Sequence, residues 1–338
     1  MRSLKFAIRT LFRTPFITAI AIVSLALGIG ATAGIFSVFH QVLLQSLSVP
    51  DPSELVNLGA PGPQPGFQSC GRAGDCDVVF SYAMFRDLQK TQTVFTDIAA
   101  HVGFGANLAY EAQTSSGEGL LVSGSYFPVL ELQPALGRLL DSNDDRLVGE
   151  SRVVVLSYNY WSSRFGLDPT ILNKQVIVNG QSLTIVGVAP KGFDGTTIGM
   201  RPAVFVPITL RSVLDADTGW SLRTDYWAYL FARLRPGITI EAARASLGTR
   251  YHAIINEVEA PLQKDMSSQT MARFRAKPIL IAPGGRGQSA VPDEAKTPLR
   301  LLLGVTAFVL LIACANIANL LLARSAARAG EMALRLSI

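Results

Sequence analysis

The sequence predicts a membrane protein with an α+β extracytoplasmic domain, flanked by two transmembrane helices. One observation is that Thr14 to Pro50 contains no Asp, Glu, Lys or Arg. A second is another uncharged apolar run, Leu301 to Ala323. The third is the stretch of roughly 250 residues between them, which mixes alternating strand patterns, a hairpin signal and amphipathic helix patterns.

Composition and charge agree with this. Of 338 residues, 49% are hydrophobic and 16% charged, below the roughly 25% charged residues of soluble domains. The net charge of +5 does not mark a nucleic-acid partner, because Asp51 to Pro298 is close to neutral, with 22 basic and 24 acidic residues. The positive excess lies at Arg2, Lys5, Arg9 and Arg13, and at Arg300, Arg324, Arg328 and Arg335. Those positions flank the apolar runs, and the positive-inside bias places both termini in the cytoplasm and the large domain outside.

Residues 1–13 put Lys5, Arg9 and Arg13 on one helical face and Leu4, Ile8, Leu11 and Phe12 on the other. This pattern suits a cytoplasmic amphipathic helix lying on membrane lipid. A cleaved signal peptide is the rival, but the apolar region is too long for one and a second span follows. The first transmembrane helix is assigned to 14–48. Its apolar heart, Phe16 to Phe39, is 24 residues, about 36 Å as a helix, against the ~20 residues a bilayer core needs. Gly28 to Gly34 imitates a nucleotide-binding glycine loop but has the wrong spacing and no preceding strand. Gly30 and Gly34 form a GxxxG pair, a candidate for close helix packing. His40 is a polar boundary residue.

The extracytoplasmic domain is assigned to 49–298. Leu55 to Gly59 is a strand candidate, followed by a Gly- and Pro-rich loop from Ala60 to Gly74. Ser81 to Lys90 reads as a helix burying Met84, Phe85 and Leu88. Val94 to Tyr110 and Gly119 to Gly124 read as strands, with a short helix after them broken at Pro134. Ser151 to Leu156 is a strand and Ser157 to Phe165 an aromatic helix. Lys174 to Val188 is a hairpin around Asn179-Gly180, the favoured type I′ pair. Ala203 to Ile208 is a strand, and Tyr226 to Leu234 alternates like one. Thr239 caps a helix whose core positions are Ile240, Ala243, Leu247, Tyr251, Ile254 and Val258. Met271 to Ile281 reads as a returning strand, and Pro283 to Ser289 as a flexible lead-in.

The second transmembrane helix occupies 299–323, with 324–338 cytoplasmic. Asn316 and Asn319 share a face three residues apart, and amides at membrane depth are expected to pack against other helices rather than face lipid. Two helices alone do not enclose a solute pathway. Cys314 is packing within the span. Cys70 and Cys76 form a small disulfide loop if their segment is extracytoplasmic. Two free thiols are the alternative, and a zinc site lacks further His or Cys ligands.

The chemical motifs are mostly negative. Asp141, Asn143 and Asp145 match the first ligands of a calcium loop, but Arg146 and Arg152 replace its glycine and bidentate glutamate. A solvated acidic turn is expected there. Walker A, HExxH and GxSxG motifs are absent, so neither a cofactor nor an enzyme activity is expected. His101 and His252 are read as structural.

Several stretches together resemble the FtsX-like permease family of ABC transporters with a MacB-type periplasmic core domain. They are LALGIGATAGIFSVFHQVLL at 25–44, VPDPSELVNL at 49–58, SYAMFRDL at 81–88 and VSGSYFPVLELQPALGRLL at 122–140. VVVLSYNYWSSRFG at 153–166, VNGQSLTIVGVAPKGFDG at 178–195 and ACANIANLLLARSAAR at 313–328 complete them. The wording is most similar to the duplicated permeases of acidobacteria. The resemblance implies a bacterial inner-membrane protein whose outer domain has a porter-like lobe at 50–118 and 222–285 and an inserted β-rich lobe at 119–221. It implies a cytoplasmic ABC ATPase partner, a homo- or pseudo-dimer of permease units and a periplasmic partner. The family unit has four transmembrane helices; the third, the fourth and the coupling region are missing here, as in a truncated product, a fragment or the first part of a longer protein. A non-transporting scaffold regulating periplasmic partners is the alternative function.

Overall fold

The computed structural model describes residues 15–43, 46–111, 113–214, 221–264, 266–289 and 291–336. The expected amphipathic helix at 1–13 lies outside them. The chain forms two compact units, a domain from Ser46 to Val291 and a helical unit from the two chain ends.

The helical unit begins with α1, Pro15–Leu43. Within it Ile22–His40 is long and apolar enough to cross a membrane. The helix stops short of residue 48. The chain before Pro50 is already engaged by the domain, with Leu47 N–H donating to the Gly285 carbonyl at 2.9 Å.

The domain runs β1 (Leu55–Gly59), β2 (Phe67–Gln68), β3 (Phe80–Ser81), α2 (Tyr82–Thr91), β4 (Phe95–Tyr110) and β5 (Gln113–Val122). It continues with α3 (Tyr126–Leu130), β6 (Leu136–Gly137), β7 (Val153–Leu156), α4 (Tyr158–Phe165), β8 (Gln175–Val178), β9 (Gln181–Val188) and β10 (Pro202–Pro207). It ends with α5 (Arg211–Leu214), β11 (Asp225–Leu234), α6 (Ile240–Ile254), α7 (Ser268–Arg275) and β12 (Leu280–Pro283). Local chemistry explains several boundaries. The Ser81 and Ser157 hydroxyls accept from the N–H groups of Met84 and Tyr160, capping α2 and α4. Asn179 and Gly180 take φ 47° and 80°, as a type I′ turn requires.

The strands form one sheet in the order β12-β1-β11-β4-β5-β10-β7-β9-β6, with β2 and β3 beside β11. β8 pairs with both β9 and β4. The path β4-β5-β10-β7-β9-β8 therefore returns to β4 and closes a ring. The residue 118/119 boundary falls inside β5. On one face of β11, Ala228, Leu230 and Ala232 join Phe85 and Leu88 of α2 and Leu247 of α6. On the other, Phe231 packs with Tyr126 and Phe127 of α3. Every residue of β11 is buried, so the alternation expected there does not separate core from solvent.

Four expectations are corrected. Residues 268–275 are helical, because the Ser267 hydroxyl caps α7 and Arg273 and Arg275 sit at its C-terminal end, where the helix dipole favours cations. Val258 is exposed, because α6 widens into a π turn at Ile255–Glu259 that changes which side chains point inward. The acidic turn is not solvated. Asp144 is buried and takes both prongs of Arg138 at 2.6 and 2.9 Å. Asp145, also buried, accepts from Gly124 N–H at 3.0 Å and faces Arg86 at 3.3 Å. Finally, Pro283 to Ser289 is not a slack lead-in, for it is hydrogen-bonded to the domain.

The helical unit ends with α8, Val291–Leu336, in which Thr297–Asn319 is long and apolar enough to span a membrane. The helix runs on beyond residue 323. The Thr32 and Thr306 hydroxyls donate to the carbonyls of Gly28 and Leu302 one turn back, which satisfies them without water.

The chain just after β6 passes close against Gly187 of β9, where an added Cβ would strike the Arg138 carbonyl. Gly187→Ala is expected to destabilise the domain by about 1–3 kcal/mol, read as a lower denaturation midpoint of the purified chain.

Candidate functional site

The chain enters the domain at Ser46 and leaves it at Val291, and the segments just inside both ends are held on β11. Arg233, near the end of that strand, is 1% exposed. Its Nη2 donates to Pro50 O at 3.0 Å and its Nη1 to Asp51 O at 3.2 Å, gripping the entering segment. Its Nε donates to Val129 O of α3 at 2.8 Å. Glu54 lies 3.2 Å away and Glu131 3.6 Å, both partly exposed. A buried cation needs its donors filled, and here backbone carbonyls fill most of them.

The leaving segment is held by Gln288, 5% exposed. Its Nε2 donates to Leu230 O of β11 at 2.9 Å. Its Oε1 accepts from His101 Nε2 of β4 at 2.6 Å. The backbone assists. Gly284 N–H donates to Leu55 O at 2.7 Å, Gln288 N–H to Thr196 O at 2.8 Å, and the Asn57 amide to Gly287 O at 2.8 Å. His101 is fully buried among Tyr126, Tyr229 and Phe231. Burial lowers its pKa to about 4, against the opposing hydrogen bond to Gln288. It is therefore a neutral donor at pH 7, and its placement gives it no contact with solvent.

Cys70 and Cys76 are disulfide-bonded, with Cα atoms 5.0 Å apart. Tyr229 of β11 seats this loop, its hydroxyl donating to Gly74 O at 2.7 Å and accepting from Gly71 N–H at 2.7 Å. In the helical unit the close approach falls at Gly28, where an added Cβ would lie 2.9 Å from Leu310 Cδ1. Gly30 and Gly34 face open space. Asn319 is exposed, and the Asn316 side chain lies outside the described residues. His252 is half-buried on α6, and Cys314 is free and exposed. Among the described residues no three His, Cys, Asp or Glu side chains could hold a metal ion.

Sequence reasoning did not single out Arg233 or Gln288. The available signal was a lone arginine in the strand YWAYLFARL, otherwise free of charge.

These features define a class: a chain with membrane-length helices and an α+β domain tied at both ends to one central strand. The sequence profile of the MacB-like periplasmic core domain matches residues 18–250. The chain belongs to that family, and its resemblance to FtsX- and MacB-type permeases holds. With two membrane-length helices, this fits an inner-membrane protein with an extracytoplasmic domain.

Solved structures that are similar include the periplasmic region of MacB from Actinobacillus actinomycetemcomitans. It is 14% identical, with a TM-score of 0.46, covering 74% of this chain and 94% of that one. The extracellular domain of the ABC-type transporter YknZ from Gram-positive bacteria is 14% identical, with a TM-score of 0.42, covering 58% and 91%. A permease-protein domain from Porphyromonas gingivalis is 13% identical, with a TM-score of 0.46, covering 74% and 99%. At these scores they add nothing to the family assignment. No curated protein matches the chain.

Replacing Arg233 by Met leaves the Pro50, Asp51 and Val129 carbonyls without their donor and is expected to cost about 1–3 kcal/mol for each carbonyl left buried and unpaired. Glu54→Ala and Glu131→Ala, which remove partly exposed partners, are expected to cost under ~1 kcal/mol each. Equilibrium unfolding of the three variants separates the two contributions.

Acid should weaken the second hold. Because the pKa of His101 falls from 6.5 to about 4 on folding, the unfolded chain binds more protons in that window. Stability therefore rises with pH across it and is lost on acidification, by up to about 3 kcal/mol. The double variant His101→Leu/Gln288→Leu is expected to lose that part of the slope in melts between pH 4 and 7.

Proposed function

We propose that the chain is a permease subunit, or the N-terminal part of one, of an ABC-type efflux or mechanotransmission system. In this reading a cytoplasmic ATPase moves the membrane helices, and the movement passes into the outer domain, which acts on a substrate or periplasmic partner. Both termini are cytoplasmic, and permease units pair as a homo- or pseudo-dimer. Gly30, Gly34, Asn316 and Asn319 serve contacts with further helices. The porter-like segments and the inserted β-rich segment act as two lobes, although their strands share one sheet.

The observation that carries this reading, beyond family membership, is the double hold on β11. Arg233 grips the entering segment and Gln288 the leaving one, three residues apart along the strand at Arg233 and Leu230. Slack linkers would absorb a displacement of the helices, whereas these pinned segments would pass it to the centre of the sheet.

The test is purification from native membranes with the complete locus expressed. An ATPase should copurify, and its ATP turnover should rise in the presence of the chain. Four Gly/Ser residues inserted after Ser289 should leave hydrolysis intact and abolish export. If no ATPase copurifies, and deletion leaves export unchanged while a periplasmic enzyme is retained, the permease reading fails and the scaffold reading replaces it.

A further inference from the structure

On the face of the sheet that carries α2 and α6, a mostly apolar cavity of about 10 Å³ lies beside a group of buried polar side chains. Its lining includes Ser81, Tyr226, Tyr251, Glu259 and Lys277, with apolar walls from Phe80 and Met84. That volume holds about one water-sized sphere.

Glu259 enters it because of the π turn, whose last residue it is. The residue is 1% exposed. Its Oε1 accepts from Arg223 Nη1 at 2.8 Å, and the same Nη1 donates to Asp87 Oδ2 at 2.8 Å. Its Oε2 is buried and has no hydrogen-bond partner. Lys277, 3% exposed, donates to Pro63 O at 3.3 Å and lies 5.7 Å from the Tyr226 ring centroid and 5.4 Å from that of Phe274. An ammonium has three N–H donors, so that bond leaves two to place. Burial also pushes the Glu259 carboxyl up and the Lys277 ammonium down to about 8, as expected where each charge lacks part of its hydration.

Size and charge select the occupant. The cavity excludes any polyatomic organic ligand. Arg223 and Lys277 already face Asp87 and Glu259, so an added cation would meet an ammonium and an added anion a carboxylate. A neutral water fits both ends, accepting from the ammonium and donating to the orphaned oxygen, with a tyrosine hydroxyl as a third partner. Two to four polar partners are what a buried water requires.

We propose that Glu259, Lys277, Tyr226 and Tyr251 form a binding site for one water molecule, which bridges the carboxylate to the ammonium. The bridge would tie the segment at Pro63, just before the disulfide loop, to the π turn after α6. This inference does not depend on the permease reading.

The test is a crystal structure of the full chain in lipid, at a resolution that shows ordered water. A peak within hydrogen-bond distance of both Glu259 Oε2 and Lys277 Nζ is expected. A dry site with the two side chains in direct contact overturns the proposal. So does a peak that gains anomalous signal after rubidium exchange, which would make it a cation site. In Lys277→Met the peak should disappear while Arg223 still holds Glu259; an unchanged peak there overturns the bridging role.

Discussion

A guanidinium shut away from water is the constraint on which the arrangement of the domain depends. β11 is covered on both faces, by α2 and α6 on one side and by α3 on the other. Arg233 cannot be hydrated in that position, and its donors must be met by the protein. The carbonyls of Pro50, Asp51 and Val129 meet them. The entering segment and the end of α3 are thereby placed together, although they lie about 80 residues apart in the chain.

The same strand organises three further polar contacts of the interior. Tyr226 lines the cavity beside Lys277, Tyr229 seats the disulfide loop, and Leu230 lends its carbonyl to Gln288. A central strand is well suited to this role. Its backbone is fixed by neighbours on both edges, so groups bonded to it inherit its rigidity. A segment pinned to such a strand moves with the sheet.

Elements whose cause is local were legible before any fold was considered. Ser81 and the spacing of Met84, Phe85 and Leu88 specify α2, and Asn179-Gly180 specifies the β8–β9 hairpin. The two apolar runs specify membrane-length helices. Elsewhere local reading failed in a consistent way. Residues 268–275 carry too few apolar positions to declare a period, and their cap at Ser267 is visible only once the helix is drawn. Asp144 and Asp145 read as solvated because nothing near them in the sequence shows that Arg138, Arg86 and the Gly124 N–H converge on them. Pro283 to Ser289 read as slack because its glycines were visible and its partners, Leu55, Asn57, Thr196 and His101, were not.

The sequence by itself determined the two apolar helices, the α+β character of the domain, the local caps and turns, and, through its motifs, the family. Those properties follow from periodicity, from φ preferences and from composition within a few residues. Only the tertiary structure decided which polar groups lie in the interior and who partners them. Gln288, Glu259 and Lys277 look like ordinary surface residues in the sequence, and Arg233 shows only as a lone charge in an apolar stretch. Their roles arise from desolvation, which depends on what the rest of the chain stacks around them.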